Sequence, residues 1–339
     1  MKIFLLKRLM YTVLMLIGIS IITFSLSHII PGDPVVTMMG GRGTDEQIEK
    51  LREDLGLNEP IYQQYLIYMK DLLHLDLGES IRTKRKVLND LRDFFPATLE
   101  LSIFAVIISV ILGIPLGIIA AVKKNTWLDH ITRVFSLLGV SMPVFWLGLL
   151  LMALFYNYLH FLPSSGRIDM FIMAPESITG LYLIDSLLTG NFTTFWSSLK
   201  HLILPAFCLG YLSTAQIARM MRSSMLEVMN QDYIRSSYAF GLSEKLIIFV
   251  LAFKNAFIPT LTIIGLSFGS LLSGAVLTET IFSWPGIGRY VVKSMLFLDF
   301  PAVMGVTLLI ALVYSLANLL VDILYAFFDP RIQYEDINS

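Results

Sequence analysis

The sequence predicts an all-α polytopic membrane protein with six transmembrane helices, and its composition is the first reason. Of its 339 residues, 55% are hydrophobic and 15% are charged, and the mean hydropathy is +0.71. A soluble protein carries about 25% charged residues, so this chain has too few charges to cover a soluble surface. The net charge of −1 provides no basic field for a nucleic-acid partner. The single cysteine, Cys208, lies in an apolar run and is expected to be a buried thiol.

Six stretches without Asp, Glu, Lys or Arg set the positions of the helices. They cover residues 9–32, 101–122, 134–166, 201–218, 255–278 and 300–321. A helix that crosses the hydrocarbon core needs about 20 apolar residues. The third stretch is too long for one straight helix, and turn residues at 162–166 predict that its helix ends near Leu159. The first apolar run exceeds the core of a signal peptide, and no small-residue cleavage site follows it, so we expect an uncleaved helix.

Basic residues in the short connections predict the orientation. Six helices place both termini on one side, and this side carries twelve Lys and Arg residues, at positions 2, 7, 8, 123, 124, 133, 219, 222, 235, 245, 254 and 331. The short connections on the other side carry only Arg167, Lys200, Arg289 and Lys293. Segment 31–96 is set aside, because long loops translocate largely regardless of charge. We therefore expect a protein of the inner or plasma membrane with both termini in the cytoplasm.

The segment after the first helix is predicted to be a small helical extracytoplasmic insertion. Residues 31–96 carry nine basic and twelve acidic side chains. Residues 44–47 (Thr-Asp-Glu-Gln) fit a capping box for a helix that ends at Gly56, and Pro60 opens a second helix. Two short amphipathic helices cannot form a stable core alone, so they should pack on the membrane domain or on a partner, as a lid or as a docking platform. The predicted segments are residues 1–32 (tail and first helix), 33–95 (insertion), 96–328 (core of five helices) and 329–339 (cytoplasmic tail).

The longest cytoplasmic connection, residues 219–254, contains a short helix before a glycine. Asp232 is a suitable N-cap, the next eight residues can be helical, and Gly241 is a typical stop. Ser243 can cap a second helix, and Pro259 is expected to mark the entry into the fifth span. A helix of about eight residues is marginal in water and needs a groove to lie in. The pattern fits an idle interfacial helix and a partner-docking helix equally well.

Several motifs together give the chain a family resemblance. They are Asp232-Tyr233-Ile234-Arg235, Ala239-x-Gly241-Leu242-Ser243, Asn255-Ala256-x-Ile258-Pro259 and Glu279-Thr280-Ile281-Phe282-Ser283-Trp284-Pro285-Gly286, with others at 30–34, 95–100, 141–146, 222–228 and 329–331. Taken in order over almost the whole chain, they closely resemble the inner-membrane permease subunits of binding-protein-dependent ABC importers. The nearest resemblance is to the dipeptide permeases of the dipeptide/oligopeptide branch. It implies the type I importer permease fold.

The resemblance implies how the transporter is driven. In that family the region around Gly241, here near residues 232–250, is a coupling helix in a cleft of a cytoplasmic ATPase, and closure of two ATPases rocks the permease from inward-open to outward-open. The implied coupling residues are Asp232, Tyr233, Ile234, Arg235, Ala239, Gly241, Leu242 and Ser243. The chain departs from the family where Arg235-Ser236-Ser237 replaces Glu-Ala-Ala, and where Tyr238 and Phe240 replace basic residues. These departures predict a more apolar contact with the ATPase.

The resemblance also implies the assembly. The expected partners are a second homologous permease, two ATPases that hold ATP and Mg²⁺, an extracytoplasmic binding protein, the lipid bilayer and a peptide substrate. We expect no cofactor or metal on this chain and no enzyme activity, because it has no phosphate-binding Gly-x₄-Gly-Lys-Ser/Thr loop and its five histidines are scattered.

The outer end of the fifth span carries a second candidate site. Glu279 could contact a docked partner or a peptide amino group, or form an interfacial salt bridge. Trp284, Pro285 and Gly286 follow in a tight turn that suits the membrane interface. We predict that these four residues form a binding-protein contact or an outer gate.

The spans themselves are uncharged near their centres, which argues against an ion-coupled carrier, since a mid-membrane charge usually marks an ion or proton relay. Small residues spaced by four (Gly113 and Gly117; Gly265, Gly269 and Ser273) are expected to let helices pack closely. The pathway candidates are Gln216, Thr262, Ser267, Ser270 and Asn318. Dipeptides are the predicted substrate, with oligopeptides, glutathione, haem and nickel chelates as alternatives. Alternative functions are a secondary carrier or channel, and a structural membrane anchor.

Overall fold

Helices form every long element of the computed structural model, which describes residues 2–29, 35–36, 43–54 and 56–328. In chain order we number them α1 (Lys2–Ile29), α2 (Asp45–Asp54), α3 (Ile61–Leu73), α4 (Val87–Val122), α5 (Trp127–Ser141), α6 (Val144–Tyr158), α7 (Tyr182–Leu188), α8 (Phe192–Met229), α9 (Asp232–Ala239), α10 (Glu244–Ile281), α11 (Ile287–Leu296) and α12 (Phe300–Phe328). Strand pairing within these ranges is limited to an isolated bridge between Glu79 and Lys86. The predicted all-α class is confirmed. The motif at 30–34 and the predicted tail 329–339 lie outside the described residues.

The third predicted span is not one continuous helix. Within the described ranges, five helices are long and apolar enough to cross a membrane, and α5 with α6 supplies a sixth if the bent pair counts as one span. The two axes differ by 114°. Met142 is extended (φ −85°, ψ 123°) because the ring of Pro143 disfavours a helical conformation in the preceding residue. The expectation of an unbroken helix here was wrong, although its end at Tyr158 lies one residue from the predicted end.

The chain divides into two compact units. The first comprises Met1–Ala97 with Pro285–Ser315, and the second comprises Thr98–Trp284 with Leu316–Ser339. The long helices α4 and α12 each run through a unit boundary. The four sequence segments predicted above divide the chain differently, and they stay a prediction.

The insertion in the first unit contains the two predicted helices. The Thr44 N–H donates to Gln47 Oε1 at 3.1 Å and the Gln47 N–H donates to Thr44 Oγ1 at 3.4 Å, which confirms the capping box before α2. Gly56 ends this helix with φ +66°. Helix α3 packs along α1, where the Tyr65 hydroxyl hydrogen-bonds Ser20 Oγ at 2.9 Å and its ring lies 5.3 Å from that of Phe24. The packing of α3 on a membrane-spanning helix agrees with the prediction.

Two glycines on α4 let this helix pack closely against α8 in the second unit. A Cβ atom added to Gly117 on α4 would lie 2.6 Å from Met221 Cβ and 2.7 Å from the Ala218 carbonyl oxygen. One added to Gly113 would lie 2.8 Å from Ile217 Cγ2. The packing role predicted for these two glycines is confirmed. Cys208, also on α8, is buried as expected.

Gly117→Ala is expected to destabilise the second unit by about 1–3 kcal/mol, because the added methyl group overlaps a backbone oxygen that cannot rotate away. Gly274→Ala on α10 is the matched control, since no heavy atom lies within 4 Å of its Cβ position. There alanine is expected to leave stability unchanged or raise it by up to about 1 kcal/mol. The melting temperature of each purified variant measures the difference. Equal melting temperatures would contradict the close approach of α4 and α8.

Candidate functional site

Helix α9 and the turn after it form the first candidate site. The eight-residue helix ends at Ala239, and Gly241, two residues later, has a φ of +75° in the left-handed region. The Gly241 N–H donates to the Tyr238 carbonyl at 3.0 Å and the Leu242 N–H donates to the Ser237 carbonyl at 3.2 Å. These two bonds form a Schellman motif, which satisfies the last carbonyl groups of the helix. The predicted stop at Gly241 is therefore confirmed as a feature of the fold.

Two expectations about the start and surroundings of α9 were wrong. Gln231 is the N-cap, and Asp232 is the first helical residue, where its negative charge suits the positive end of the helix dipole. Pro259 does not mark the start of a helix. It lies inside α10, which begins at Glu244 and contains a π-helical segment at Ile247–Ala252. Prolines are tolerated inside membrane helices because neighbouring groups and local changes of helix geometry can satisfy the backbone groups that lose their partner.

Helix α9 is attached to the rest of its unit through one side. Ile234 is fully buried in a cluster with residues of α4, α8 and α10, among them Met221 and Ile248. Tyr233 Oη accepts a hydrogen bond from Asn255 Nδ2 on α10 at 2.7 Å. An apolar anchor and a polar link therefore hold the helix, so movement of α9 would be passed to α8 and α10.

Apart from Ile234, α9 and its turn are largely exposed. Phe240 is 84% exposed, and Tyr238 and Leu242 are also exposed. Asp232 and Arg235 form an exposed pair at 3.6 Å. Ala239 and Ser243 are exposed as well. An exposed phenylalanine beside a tyrosine and a leucine gives this turn an apolar surface, and its contact with an ATPase stays a prediction.

The second candidate site lies at the end of α10, where two predicted residues are buried. Glu279 is fully buried and accepts a hydrogen bond from Thr98 Oγ1 at 2.5 Å. The Trp284 N–H donates to the Glu279 carbonyl at 2.8 Å, and the Trp284 side chain is 1% exposed. The tryptophan therefore packs inside the protein. The prediction that it lies at the membrane interface, which rested on its position in a turn, was wrong. Pro285 and Gly286 begin the next part of the first unit, where Gly286 is the N-cap of α11.

A buried ion pair in the same unit was missed by sequence reasoning. Arg167 Nη2 lies 2.6 Å from Glu100 Oε2, and both side chains are at most 6% exposed. Glu100 Oε1 also accepts the Leu183 N–H at 2.9 Å, and Arg167 Nη2 donates to the Gly180 carbonyl at 3.0 Å. The guanidinium carbon lies 3.7 Å from the centre of the Tyr182 ring. The pair therefore ties the connection between α6 and α8 to α4.

Asp185 organises the turn that precedes α7. Its buried carboxylate accepts the N–H groups of Thr179 at 2.8 Å and Gly180 at 2.9 Å, and the Thr179 hydroxyl at 2.7 Å. Burial alone would raise the pKa of Asp185. The hydrogen bonds outweigh it, so the pKa lies below its ordinary value.

This lowered pKa predicts an acid-sensitive turn. Asp185 titrates near pH 3.9 in the unfolded chain, so its stabilising effect is complete above that pH and is lost as the pH falls toward the lower folded pKa. Asp185→Asn is expected to weaken the turn at neutral pH by about 1–3 kcal/mol and to remove this pH dependence. Amide hydrogen exchange of residues 178–180 between pH 7 and pH 3, corrected for intrinsic rates, measures both effects. Glu176→Gln, an exposed acid in the same connection, should change neither; identical profiles for Asp185→Asn and wild type would contradict the assignment.

Three of the five predicted pathway residues line one cleft between α8 and α10. The cleft has a volume of about 590 Å³, and its described lining is Gln216, Arg219, Met220, Ser223, Ile263, Leu266, Ser267 and Ser270. Thr262 and Asn318 are not among the lining residues. Sequence reasoning had counted Arg219 only among the charges that set the orientation. Its place beside Gln216, one helical turn away on α8, was the signal that it shares the same face.

Known proteins are similar to this chain over nearly its whole length. A protein-family model described as a binding-protein-dependent transport system inner membrane component matches residues 113–334, and the model of its N-terminal region matches residues 1–102. A probable D,D-dipeptide transport system permease protein of Escherichia coli is 50% identical over 94% of both chains. Dipeptide transport system permease proteins of Alkalihalophilus pseudofirmus and Escherichia coli are 47% and 44% identical. They cover 97% and 98% of this chain, and 98% and 99% of their own.

Proposed function

Since the chain belongs to the family of binding-protein-dependent transport system inner membrane components, we propose that it forms half of the pathway through which an importer carries dipeptides. It is a permease subunit of an ABC importer, a multi-pass inner-membrane component of a transport system and not an enzyme. Three relatives with 44–50% identity are named for dipeptide or D,D-dipeptide transport, which supports the substrate class. A permease of this family works with a second permease, ATPases and a binding protein.

The geometry of α9 is the main observation that supports the proposed coupling between an ATPase and this chain. A short helix that is anchored through Ile234 and Tyr233, with Phe240 exposed directly after its last residue, can transmit a push from an ATPase to α8 and α10. On this proposal ATP and Mg²⁺ are held by two cytoplasmic ATPases, and both termini face the cytoplasm because that side carries twelve of the counted basic residues.

The buried end of α10 supports a gate better than a direct docking contact. Glu279 and Trp284 are both shielded from solvent, so a binding protein would reach them only after the protein around them moves. We assign these two residues to the outer gate, and Pro285 and Gly286 to the turn that follows it. The three pathway candidates that share a cleft, Gln216, Ser267 and Ser270, are assigned to the pathway.

Reconstitution tests the proposed function. The full-length chain, its partner permease, two ATPases and the binding protein are placed in proteoliposomes, and uptake of a labelled dipeptide is followed. We expect uptake that requires ATP hydrolysis, resists ionophores and is competed by unlabelled dipeptides more strongly than by longer peptides, glutathione, haem or nickel chelates. Uphill transport by this chain alone would reject the coupling to ATPases, and indifference to dipeptide competition would reject the substrate.

A further inference from the structure

The cleft between α8 and α10 has one charged group among neutral ones. Its polar lining consists of the amide of Gln216, the hydroxyls of Ser223, Ser267 and Ser270, and the guanidinium of Arg219. No carboxylate is among the described lining residues. A molecule in this cleft therefore meets a single full charge, and that charge is positive.

Arg219 differs from its neighbour Arg222, one turn further along α8. Arg222 Nε and Nη2 lie 2.7 and 3.0 Å from the two carboxylate oxygens of Asp129, which is fully buried and also binds Arg133. That arginine has a structural partner. Arg219 is exposed, and in the part of the chain that the structure describes no carboxylate lies within ion-pair distance of it.

The polar groups of the cleft lie at different depths along α8 and α10. Ser267 lies near the middle of the charge-free stretch 255–278, whereas Arg219 directly follows the charge-free stretch 201–218. Arg219 lies about 15 Å before the end of α8 at Met229, given a rise of 1.5 Å per residue. The hydroxyls of Ser267 and Ser270 thus lie deeper, and Arg219 lies with Ser223 toward the end at which α9 is found.

We propose that Arg219 binds the carboxylate of a peptide in the cleft, an inference that rests on the proposed function. A guanidinium presents paired N–H donors that match a carboxylate, and the bond is charge-assisted. The side chain is exposed, so water weakens the bond and the peptide can be released. The serine hydroxyls and the Gln216 amide would bind the neutral amide groups of peptides with different side chains. Arg219 would thereby favour substrates with a net negative charge.

A charge series at one position tests this assignment. Arg219→Cys is placed in the full transporter and modified before reconstitution with methanethiosulfonates that add an aminoethyl, a methyl or a sulfonatoethyl group. We expect dipeptide uptake within about twofold of wild type with the cationic group, and at least about tenfold lower with the anionic group. Wild type treated with the same reagents controls for Cys208 and for the other subunits. Lys124→Cys, an exposed cation in the turn before α5 and outside the cleft, is the matched control and should respond equally to all three reagents.

The choice of dipeptide separates a substrate contact from a structural role. The anionic modification is expected to reduce uptake of alanyl-aspartate more than uptake of alanyl-lysine, because only a group that meets the substrate senses the substrate's charge. Equal reduction of the two, or equal uptake after all three reagents, would overturn the inference while leaving the proposed function intact. Absence of dipeptide uptake by the unmodified wild-type transporter would instead reject the proposed function and this inference with it.

Discussion

Gly241→Val is expected to lower dipeptide uptake about tenfold or more while leaving the amount of protein in the membrane unchanged. Gly241 adopts φ +75°, a conformation that costs a residue with a side chain about 1–2 kcal/mol and a β-branched residue more. Each 1.4 kcal/mol reduces the population of the correct turn about tenfold. No heavy atom lies within 4 Å of the Cβ position, so the effect comes from the backbone and not from a clash.

The turn sets the direction of the proposed coupling surface. It ends α9 through the Schellman bonds and fixes where Phe240 and Leu242 project. If the turn changes, the ATPase meets a differently placed phenylalanine, although Ile234 still anchors the helix. We therefore expect ATPase activity that no longer rises when peptide-loaded binding protein is added.

Gly241→Asn is the control, because asparagine enters the left-handed region several-fold more readily than most residues. It should retain most of the uptake, and Gly241→Ala should fall between asparagine and valine. The stimulation of ATP hydrolysis by binding protein and peptide is measured for all three variants. Full stimulation in Gly241→Val, or equal loss in the valine and asparagine variants, would show that the conformation of this turn is not needed for coupling.

Local sequence rules predicted those parts of the fold that depend on neighbouring residues. The charge-free stretches locate the spanning helices because the bilayer excludes charges over a fixed thickness. The capping box at Thr44 and Gln47 and the stop at Gly241 were predictable because donor and acceptor lie within one turn of each other. The sequence alone thus identified α9, the turn after it and three of the residues that line the cleft.

The predictions that were wrong concern features that depend on the surrounding structure and not on residue type alone. Asp232 and Gln231 can both precede a helix, and a rule based on residue type chose the wrong one. A proline can end, bend or lie within a helix. Pro143 lies at the 114° bend as the N-cap of α6, whereas Pro259 lies inside a continuous helix. Residue type alone does not separate these outcomes, because a proline fits both a helix N-terminus, where its missing N–H has no intrahelical partner, and the interior of a membrane helix, where the loss of one N–H is tolerated.

The missed residues are those whose partners are distant in the sequence. Glu100 and Arg167 are separated by 67 positions, and no periodicity connects them. Two weak signals existed. Glu100 belongs to a motif at 95–100 that carried the family resemblance, and Arg167 is the single cation between residues 162 and 195. A lone cation in an otherwise uncharged or acidic connection suggests an ion pair, but it does not identify the partner.

Arg167→Met is expected to cause the largest loss of stability, about 3–5 kcal/mol, because it leaves the Glu100 carboxylate buried without its counter-charge. Glu100→Gln should cost a similar amount, since the Arg167 guanidinium then remains buried beside a neutral amide. The pair ties the connection between α6 and α8 to α4, so this connection should also become accessible to protease. The melting temperature of the purified transporter and limited trypsin digestion measure the two effects.

The double variant Glu100→Gln with Arg167→Met separates the value of the pair from the cost of an isolated buried charge. Replacing both members of a buried ion pair by neutral groups is often close to neutral, so the double variant should recover most of the stability lost by either single variant. Lys200→Met, which removes an exposed cation counted on the same predicted side of the membrane, controls for the loss of charge alone. If the double variant is as unstable as the sum of the two single variants, the two side chains act independently and the pair does not hold the connection in place.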